Sequence, residues 1–153
     1  MSELTAASTA HAFQTEDGTI YYEVIEPLMT PTTASPTLTL LHNFMSTGRT
    51  AWGPMLEKFA ESYRILLPDL PGHGQSMGYP ANFHYGKIAK QLAALMAHEQ
   101  ALTGHLAGCS AGGMIAQLMV SQQLVSPKTL TLISTTYSIR EEVTGTAHAL
   151  KPE

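Results

Sequence analysis

The sequence contains little cysteine and little positive charge. Only one of its 153 residues is a cysteine, Cys109, so no disulfide can form within the chain, as is usual in reducing compartments. Eight Lys and Arg residues stand against twelve Asp and Glu, which gives a net charge of −4. The basic residues are scattered along the chain. Without a basic stripe to bind a phosphate backbone, we expect no nucleic-acid partner.

Long apolar runs are also missing. The longest apolar stretches fall far short of the roughly 20 residues that cross a membrane as a helix. The first ten residues, MSELTAASTA, lack the basic region and apolar core of a secretory signal. We therefore expect a cytoplasmic protein with no membrane partner.

Hydrophobic residues make up 44% of the chain, which is enough for one domain with its own core. Apolar runs typical of buried strands alternate with helical periodicity. Strands are predicted over residues 11–15, 19–26, 37–42, 64–70, 105–109 and 129–135, and helices near 52–60, 84–102 and 111–124. This alternation predicts an α/β fold, a mostly parallel sheet of about six strands with helices on both faces.

Two local patterns refine this prediction. Asp17-Gly18 indicates a hairpin turn, so the first two strands should be antiparallel. The first helix should bury one face, and we expect Pro54 in its first turn, where proline is tolerated. That face consists of Trp52, Met55, Leu56, Phe59 and Ala60.

The sequence LAGCSAGGMIA, residues 106–116, contains the pattern G-x-S-x-G around Ser110. A predicted strand runs directly into this serine and a predicted helix follows it, which is the context of a nucleophile on a sharp strand-to-helix turn. Gly108 and Gly112 are expected because the turn leaves no room for side chains. The alternative is that Ser110 is only the N-cap of the following helix, but an N-cap serine does not require glycine at positions 108 and 112. The pattern predicts that Ser110 is a catalytic nucleophile.

Four segments together resemble the α/β-hydrolase superfamily, especially its lipase-, lactonase- and C–C-hydrolase-like members. They are TLLHNF, LLPDLPGHGQS, LAGCSAGG and VSPKTLTLIST, and they occur in the family's order and spacing over nearly all of residues 12–136. The resemblance implies a sheet ordered 1-2-4-3-5-6 that lacks the family's last two strands and their helices. It divides the chain into a flexible leader (1–9), a truncated hydrolase core (10–136) and a tail that begins the absent lid and C-terminal part (137–153).

The resemblance also implies an oxyanion hole. The Ala111 N–H follows the nucleophile, and the second donor of the family corresponds to the Phe44 N–H. Asn43 replaces the family's glycine before Phe44, and we expect it to tolerate the positive φ of that position. Cys109 is an alternative thiol nucleophile, but its place at the end of the strand favours a small buried core residue.

The base and the acid of a catalytic triad are not evident. Downstream of Ser110 there is no Asp, the acids are Glu141, Glu142 and Glu153, and the only histidine is His148. A complete minimal enzyme would need Glu141 or Glu142 with His148, folded back over the sheet edge.

The histidines and the aspartate upstream of Ser110 are not expected to act as the base or the acid either. In the resembling family His42 and His73 tie loops together and Asp69 builds a turn, while His105 lies at the wrong end of its strand. We therefore expect an incomplete triad and little or no turnover by the chain alone.

These observations lead to two functional hypotheses. The first is a serine hydrolase that transfers an acyl group to water from a small ester, lactone or related carbonyl substrate. The second is a non-catalytic binding module that associates through the open, Leu- and Ile-rich sheet edge at 129–134, with a second copy or a complementing C-terminal chain as partner.

No cofactor or metal is expected for either hypothesis. The glycines of PGHGQSMG do not follow G-x-G-x-x-G and do not lie in the first βα unit, so they do not indicate a dinucleotide site.

Overall fold

Strands and helices alternate along residues 6–28, 35–82 and 84–136, the part of the chain that the computed structural model describes. In chain order the elements are β1 (Ser8–Gln14), β2 (Thr19–Ile25), β3 (Thr37–Leu41), α1 (Gly48–Ala60), β4 (Arg64–Pro68), α2 (Tyr85–His98), β5 (His105–Cys109), α3 (Ala111–Ser121) and β6 (Thr129–Ile133). The predicted α/β fold is confirmed, with every predicted strand and helix present.

The six strands form one sheet in the order β1-β2-β4-β3-β5-β6, as the resemblance implied. β2 pairs antiparallel with β1 and β4, and β4, β3, β5 and β6 run parallel. The carboxyl ends of the four parallel strands therefore meet at one edge of the sheet, where ligands bind in open α/β sheets.

The core has two layers because successive strand residues point to opposite faces of the sheet. Leu66 and Leu106 face α2 and α3, whereas their neighbours Ile65, Leu67 and Ala107 face the α1 side. Strands that are buried on both faces read as continuous apolar runs, which is why they could be recognised in the sequence.

β1 begins earlier than the sequence suggested. Ser8 and Thr9, which we had placed in a flexible leader, pair with Ile25 and Val24 of β2. The Ser8 hydroxyl also donates a hydrogen bond of 2.6 Å to Glu23. Hydrogen bonding to β2 thus extends β1 over Ser8 and Thr9, two polar residues that the sequence pattern alone does not predict to be in a strand.

α1 also begins earlier, at Gly48, so the expectation that Pro54 lies in its first turn was wrong. Thr47 caps the helix by accepting from the Thr50 N–H, and Asp69 accepts from the Gly48 N–H at 2.8 Å. Pro54 is an exposed interior residue of the helix. The tertiary contact with Asp69 fixes the start of α1, and a proline on its solvent side is tolerated.

β6 forms the edge of the sheet, and within the described residues it pairs only with β5. Leu132 and Ile133 are 41% and 40% exposed. By strand alternation Ile133 shares a face with Cys109, and α1 packs on β3 and β4 rather than on this part of the sheet. The expectation of an open, apolar edge is confirmed for 129–133, while the tail at 137–153 lies outside the described residues.

Candidate active site

Ser110 stands between the last residue of β5 and the first residue of α3. Its backbone has φ 51° and ψ −114°, a sparsely populated conformation with positive φ that costs a non-glycine residue of the order of 1–3 kcal/mol. Strain of this kind persists only where the surroundings enforce it, and it concentrates at functional sites. The serine is thus held at the carboxyl edge of the sheet in the turn that the sequence predicted.

Two glycines make this turn possible. A Cβ atom on Gly108 would lie 2.4 Å from the Gly112 carbonyl oxygen, and one on Gly112 would lie 2.4 Å from that of Leu41 and 2.6 Å from that of His42. All three contacts are with backbone atoms, which cannot move aside cheaply. The steric requirement that we inferred for both glycines is confirmed. It also places α3 directly against the loop that follows β3.

The two amides expected in the oxyanion hole belong to these neighbouring segments. Ala111 is the first residue of α3, so its N–H has no acceptor within the helix. Phe44 lies in the turn after β3, two residues beyond the His42 carbonyl that touches Gly112. The structure thus brings the Phe44 loop and the start of α3 side by side.

Asn43 differs from the sequence-based expectation. It is not among the residues with positive φ, so the left-handed tolerance of asparagine is not used at this position. Its carbonyl oxygen instead accepts from the His42 ring, while its side-chain oxygen Oδ1 is buried without a partner among the described residues. The loop is held by its neighbours and not by a special conformation at Asn43.

His42 holds the loops after β3 and β4 together. Its ring is fully buried, Nδ1–H donates to the Asn43 carbonyl at 2.6 Å, and Nε2 accepts from the Leu70 N–H at 2.8 Å. These partners fix the neutral tautomer with the proton on Nδ1. Burial lowers the pKa of this imidazole below its ordinary value of 6.5, and the nearby His73 adds to the shift. With both nitrogens engaged, His42 has a structural role.

Asp69 and His105, two other upstream candidates for the acid and the base, also bond to groups away from Ser110. Asp69 accepts from the Gly48 and Gln75 amides, which anchors α1 and the 71–76 loop. His105 bonds to Thr129 at the opposite end of β5 from Ser110. Both placements agree with the sequence analysis.

His73 joins the loops near the site through ring contacts. Its centroid lies 5.1 Å from that of Phe44 and 5.4 Å from that of His42, both in edge-to-face geometry. Its Nδ1 bonds to the Pro71 carbonyl. The structure therefore gathers Phe44, His42 and His73 into one aromatic cluster at the carboxyl edge of the sheet.

Cys109 is less buried than we expected. The thiol is half-buried and packs against the cluster on the α1 side of the sheet. It is partly exposed because no helix covers β5 and β6 on that face within the described part of the chain.

Thr135 is a contact of the site that sequence reasoning missed. Its Oγ1–H donates to the Ser110 carbonyl at 2.8 Å, and the Ile133 carbonyl accepts from the Ser110 N–H at 2.9 Å. The sequence predicts only a strand over 129–135, and no pattern links a threonine at its end to a serine 25 residues earlier.

Other kinds of site have little support in residues 6–28, 35–82 and 84–136. No group of three or more His, Cys, Asp or Glu side chains is placed to hold a metal ion, and no helix in these ranges has the length and apolarity to span a bilayer. A groove of about 500 Å³ opens between the end of β1 and α2, with Phe13 and Lys90 in its lining. It contains none of the residues that surround Ser110.

Comparison with known proteins agrees with this architecture. The strained serine turn and the strand order together define the class of α/β-hydrolase-like proteins. The chain belongs to the alpha/beta hydrolase fold family, whose model matches residues 36–150.

Two curated relatives and one solved structure illustrate the similarity. A magnesium-chelatase 30 kDa subunit of Rhodobacter capsulatus is 37% identical over 82 residues, which are 53% of this chain and 28% of that protein. An AB hydrolase superfamily protein of Gibberella zeae is 33% identical over 106 residues, 68% of this chain and 35% of that protein. A hydrolase from Pseudomonas aeruginosa superposes with a TM-score of 0.75 at 21% identity, covering 86% of this chain and 48% of that one. The chain thus spans about a third of these curated relatives and about half of the solved structure.

The close backbone approach at Gly112 yields a first prediction. Gly112→Ala should destabilise the fold by about 2–3 kcal/mol, because the new methyl group collides with two carbonyl oxygens and forces α3 outward. Gly53→Ala is the matched control, since a Cβ there meets nothing within 4 Å in the middle of α1, and it should stabilise by about 0.5–1 kcal/mol. Urea denaturation measures both changes. Equal effects of the two substitutions would contradict the steric account.

A second prediction concerns pH. The folded protein binds a proton at His42 less readily than the unfolded chain, because its pKa is lowered. The contribution of neutral His42 to the free energy of unfolding should therefore be fully present above about pH 6.5. The free energy of unfolding should decrease as the pH drops below this value. In His42→Gln this dependence between pH 7.5 and 5.5 should flatten, with a loss of about 1–3 kcal/mol at neutral pH for the disturbed Leu70 N–H.

Urea titrations at several pH values test the His42 prediction. His11→Gln serves as the control because His11 lies exposed on β1, and this variant should keep the dependence of the parent chain. An unchanged slope in His42→Gln would show that another group is responsible.

Proposed function

We propose that this chain carries the nucleophile and the oxyanion site of a serine hydrolase. Ser110 Oγ gives its proton to a base and attacks the carbonyl carbon of a small ester, lactone or related substrate. The bond from this carbon to the leaving group breaks, the leaving group takes up the proton, and water then hydrolyses the acyl-enzyme. The observation that carries the proposal is the strained backbone of Ser110, with φ 51° and ψ −114°, at the junction of β5 and α3. A serine with an ordinary N-cap role has no need of that strain.

The electrostatics of the turn support this role. α3 begins at Ala111 and has 11 residues, so the partial positive charge of its N-terminus lies next to Ser110. Its first turn contains no acidic residue that would offset this field. In the proposed mechanism the Ala111 and Phe44 N–H groups donate to the oxygen that becomes negative in the tetrahedral intermediate, a contribution of about 3–4 kcal/mol per donor in comparable sites.

The proton acceptor is proposed to lie outside the described residues. Between Ser110 and Thr136 the sequence has no His, Asp or Glu, and both nitrogens of His42 are already bonded. Glu141, Glu142 and His148 belong to the part that the structure does not describe. The proposed hydrolase therefore completes its triad with groups from further sequence or from another chain, and a minimal enzyme that uses Glu141 or Glu142 with His148 is the alternative.

A second candidate function is association through β6. The exposed side chains of Leu132 and Ile133 favour a partner that adds to the sheet, and so does the outer edge of β6, which pairs with no other strand of the described residues. A second copy of this chain, or a chain that supplies a C-terminal part, would fit this edge.

A third prediction tests the nucleophile. A fluorophosphonate probe should label the chain slowly, because an oxyanion site and a strained serine retain part of the rate without a base. Ser110→Ala should abolish labelling, whereas the surface control Ser62→Ala should not change it. Labelling is read by mass spectrometry of the intact chain and of its peptides.

The same assay separates the incomplete triad from a minimal enzyme. His148→Ala should label at the parent rate if the base lies elsewhere. A large drop in that variant would place the base in the tail and contradict the incomplete triad. Absence of any label at Ser110 would overturn the proposed nucleophile.

A fourth prediction tests the edge. Sedimentation velocity over a series of concentrations should show self-association, because an uncovered apolar edge strand favours pairing. Leu132→Lys should weaken it by placing a charge in the interface. Met55→Lys is the matched control, since Met55 is 39% exposed, contrary to its expected place on the buried face of α1, and α1 packs on β3 and β4. A monomer at all concentrations would remove self-association from the candidate functions.

A further inference from the structure

Both backbone polar groups of Ser110 are bonded to the end of β6. The Ser110 N–H donates to the Ile133 carbonyl at 2.9 Å, and the Ser110 carbonyl accepts from Thr135 Oγ1–H at 2.8 Å. The same carbonyl accepts from the Met114 N–H at 3.1 Å, so both of its lone pairs are used. The strained residue is therefore clamped by a segment that lies far from it in sequence.

The clamp controls more than Ser110 itself. The Ser110 carbonyl and the Ala111 N–H belong to one planar, trans peptide unit, in which the two groups point in opposite directions. Any bond that fixes the direction of the carbonyl therefore also fixes the direction of the N–H. The Thr135 hydroxyl holds this carbonyl from one side and so orients the Ala111 N–H.

Gly113 of α3 leaves the space that the Thr135 side chain occupies. A Cβ on Gly113 would lie 2.7 Å from Thr135 Cβ and 2.8 Å from its Oγ1. The absence of a side chain at Gly113 is what admits the threonine to hydrogen-bonding distance of Ser110. Gln117 Nε2 also donates to the Thr136 carbonyl at 2.7 Å, which ties the same segment to α3.

We propose that Thr135 is a positioning residue that orients the Ser110–Ala111 peptide for catalysis. This inference rests on the proposed function, in which that peptide supplies an oxyanion donor. A threonine hydroxyl is suited to the task because its methyl group packs against the glycine and leaves one rotatable donor facing the carbonyl. The role is distinct from that of the nucleophile, since Thr135 acts only through Ser110.

The test uses the full chain and two measurements. Thr135→Val keeps the shape and removes the hydroxyl, Thr135→Ala removes it without a steric risk, and Thr135→Ser retains it. Thr9→Val is the matched control, because it makes the same change at an exposed position of β1, at the opposite edge of the sheet. The first readout is the rate of fluorophosphonate labelling at Ser110, and the second is amide hydrogen exchange of Ser110 and Met114 by NMR.

The expected result is specific to the hydroxyl. Thr135→Val and Thr135→Ala should label about five- to tenfold more slowly and exchange the Ser110 amide about as much faster, which corresponds to the loss of one hydrogen bond. Thr135→Ser should restore both values, and Thr9→Val should match the parent chain.

Each contrary result has its own meaning. Parent-like labelling and exchange in the two hydroxyl-free variants would overturn the role of Thr135 while leaving Ser110 as the nucleophile. Thr135→Ser as impaired as these variants would show that packing, and not the hydroxyl, matters, and would also overturn it. If the parent chain is not labelled at all, the proposed function fails at the nucleophile, and hydrogen exchange alone still decides whether the hydroxyl holds the Ser110 peptide.

Discussion

The structure depends on one close approach of backbone to backbone, where the first turn of α3 meets the end of β3. Gly112 lies so near the carbonyl oxygens of Leu41 and His42 that no side chain fits between them. This contact brings the turn after β5 against the loop after β3, and thereby assembles the candidate site from two segments about 70 residues apart. Gly108, in β5, lets the Gly112 carbonyl approach the end of the strand that leads into the turn. Without these two glycines the serine would stand away from the Phe44 loop.

Around this contact the loops hold one another through backbone groups. Asp69 anchors α1 and the 71–76 loop, while His42 links the Asn43 carbonyl to the Leu70 amide. A single buried ring thus fixes the loops after two different strands. Residues that resemble catalytic groups in the sequence are used as structural supports, because a loop with buried polar backbone groups needs partners for them. The proposed chemistry is therefore assigned to Ser110 and to groups outside the described residues.

The sequence predicts the local features of this fold well. The buried strands are continuous apolar runs, and the serine turn carries its glycines at fixed spacing, so each can be recognised from a few neighbouring residues. The strand order followed from the family resemblance. Features set by tertiary contacts were missed or misplaced. Examples are the start of β1 at Ser8, which depends on pairing with β2, and the start of α1 at Gly48, which depends on Asp69.

In the candidate site too, features set by neighbouring residues could be predicted, and features set by contacts between residues far apart in sequence could not. Ser110 and its glycines could be inferred from the sequence, whereas the ordinary backbone conformation at Asn43 and the contact of Thr135 could not. The latter is a single hydrogen bond across 25 residues, made by a residue type that is common in strands and loops. No sequence period or spacing marks it, so only the folded backbone reveals it.

The position of β6 at the rim of the sheet has a consequence for how long the serine keeps its conformation. Edge strands open more readily than central ones because they have a ladder on one side only. Each fraying of β6 at Ile133 would release the serine amide and let the strained turn relax to an ordinary geometry. The working lifetime of the turn therefore depends on an edge strand of the sheet, and anything that covers that strand would prolong it.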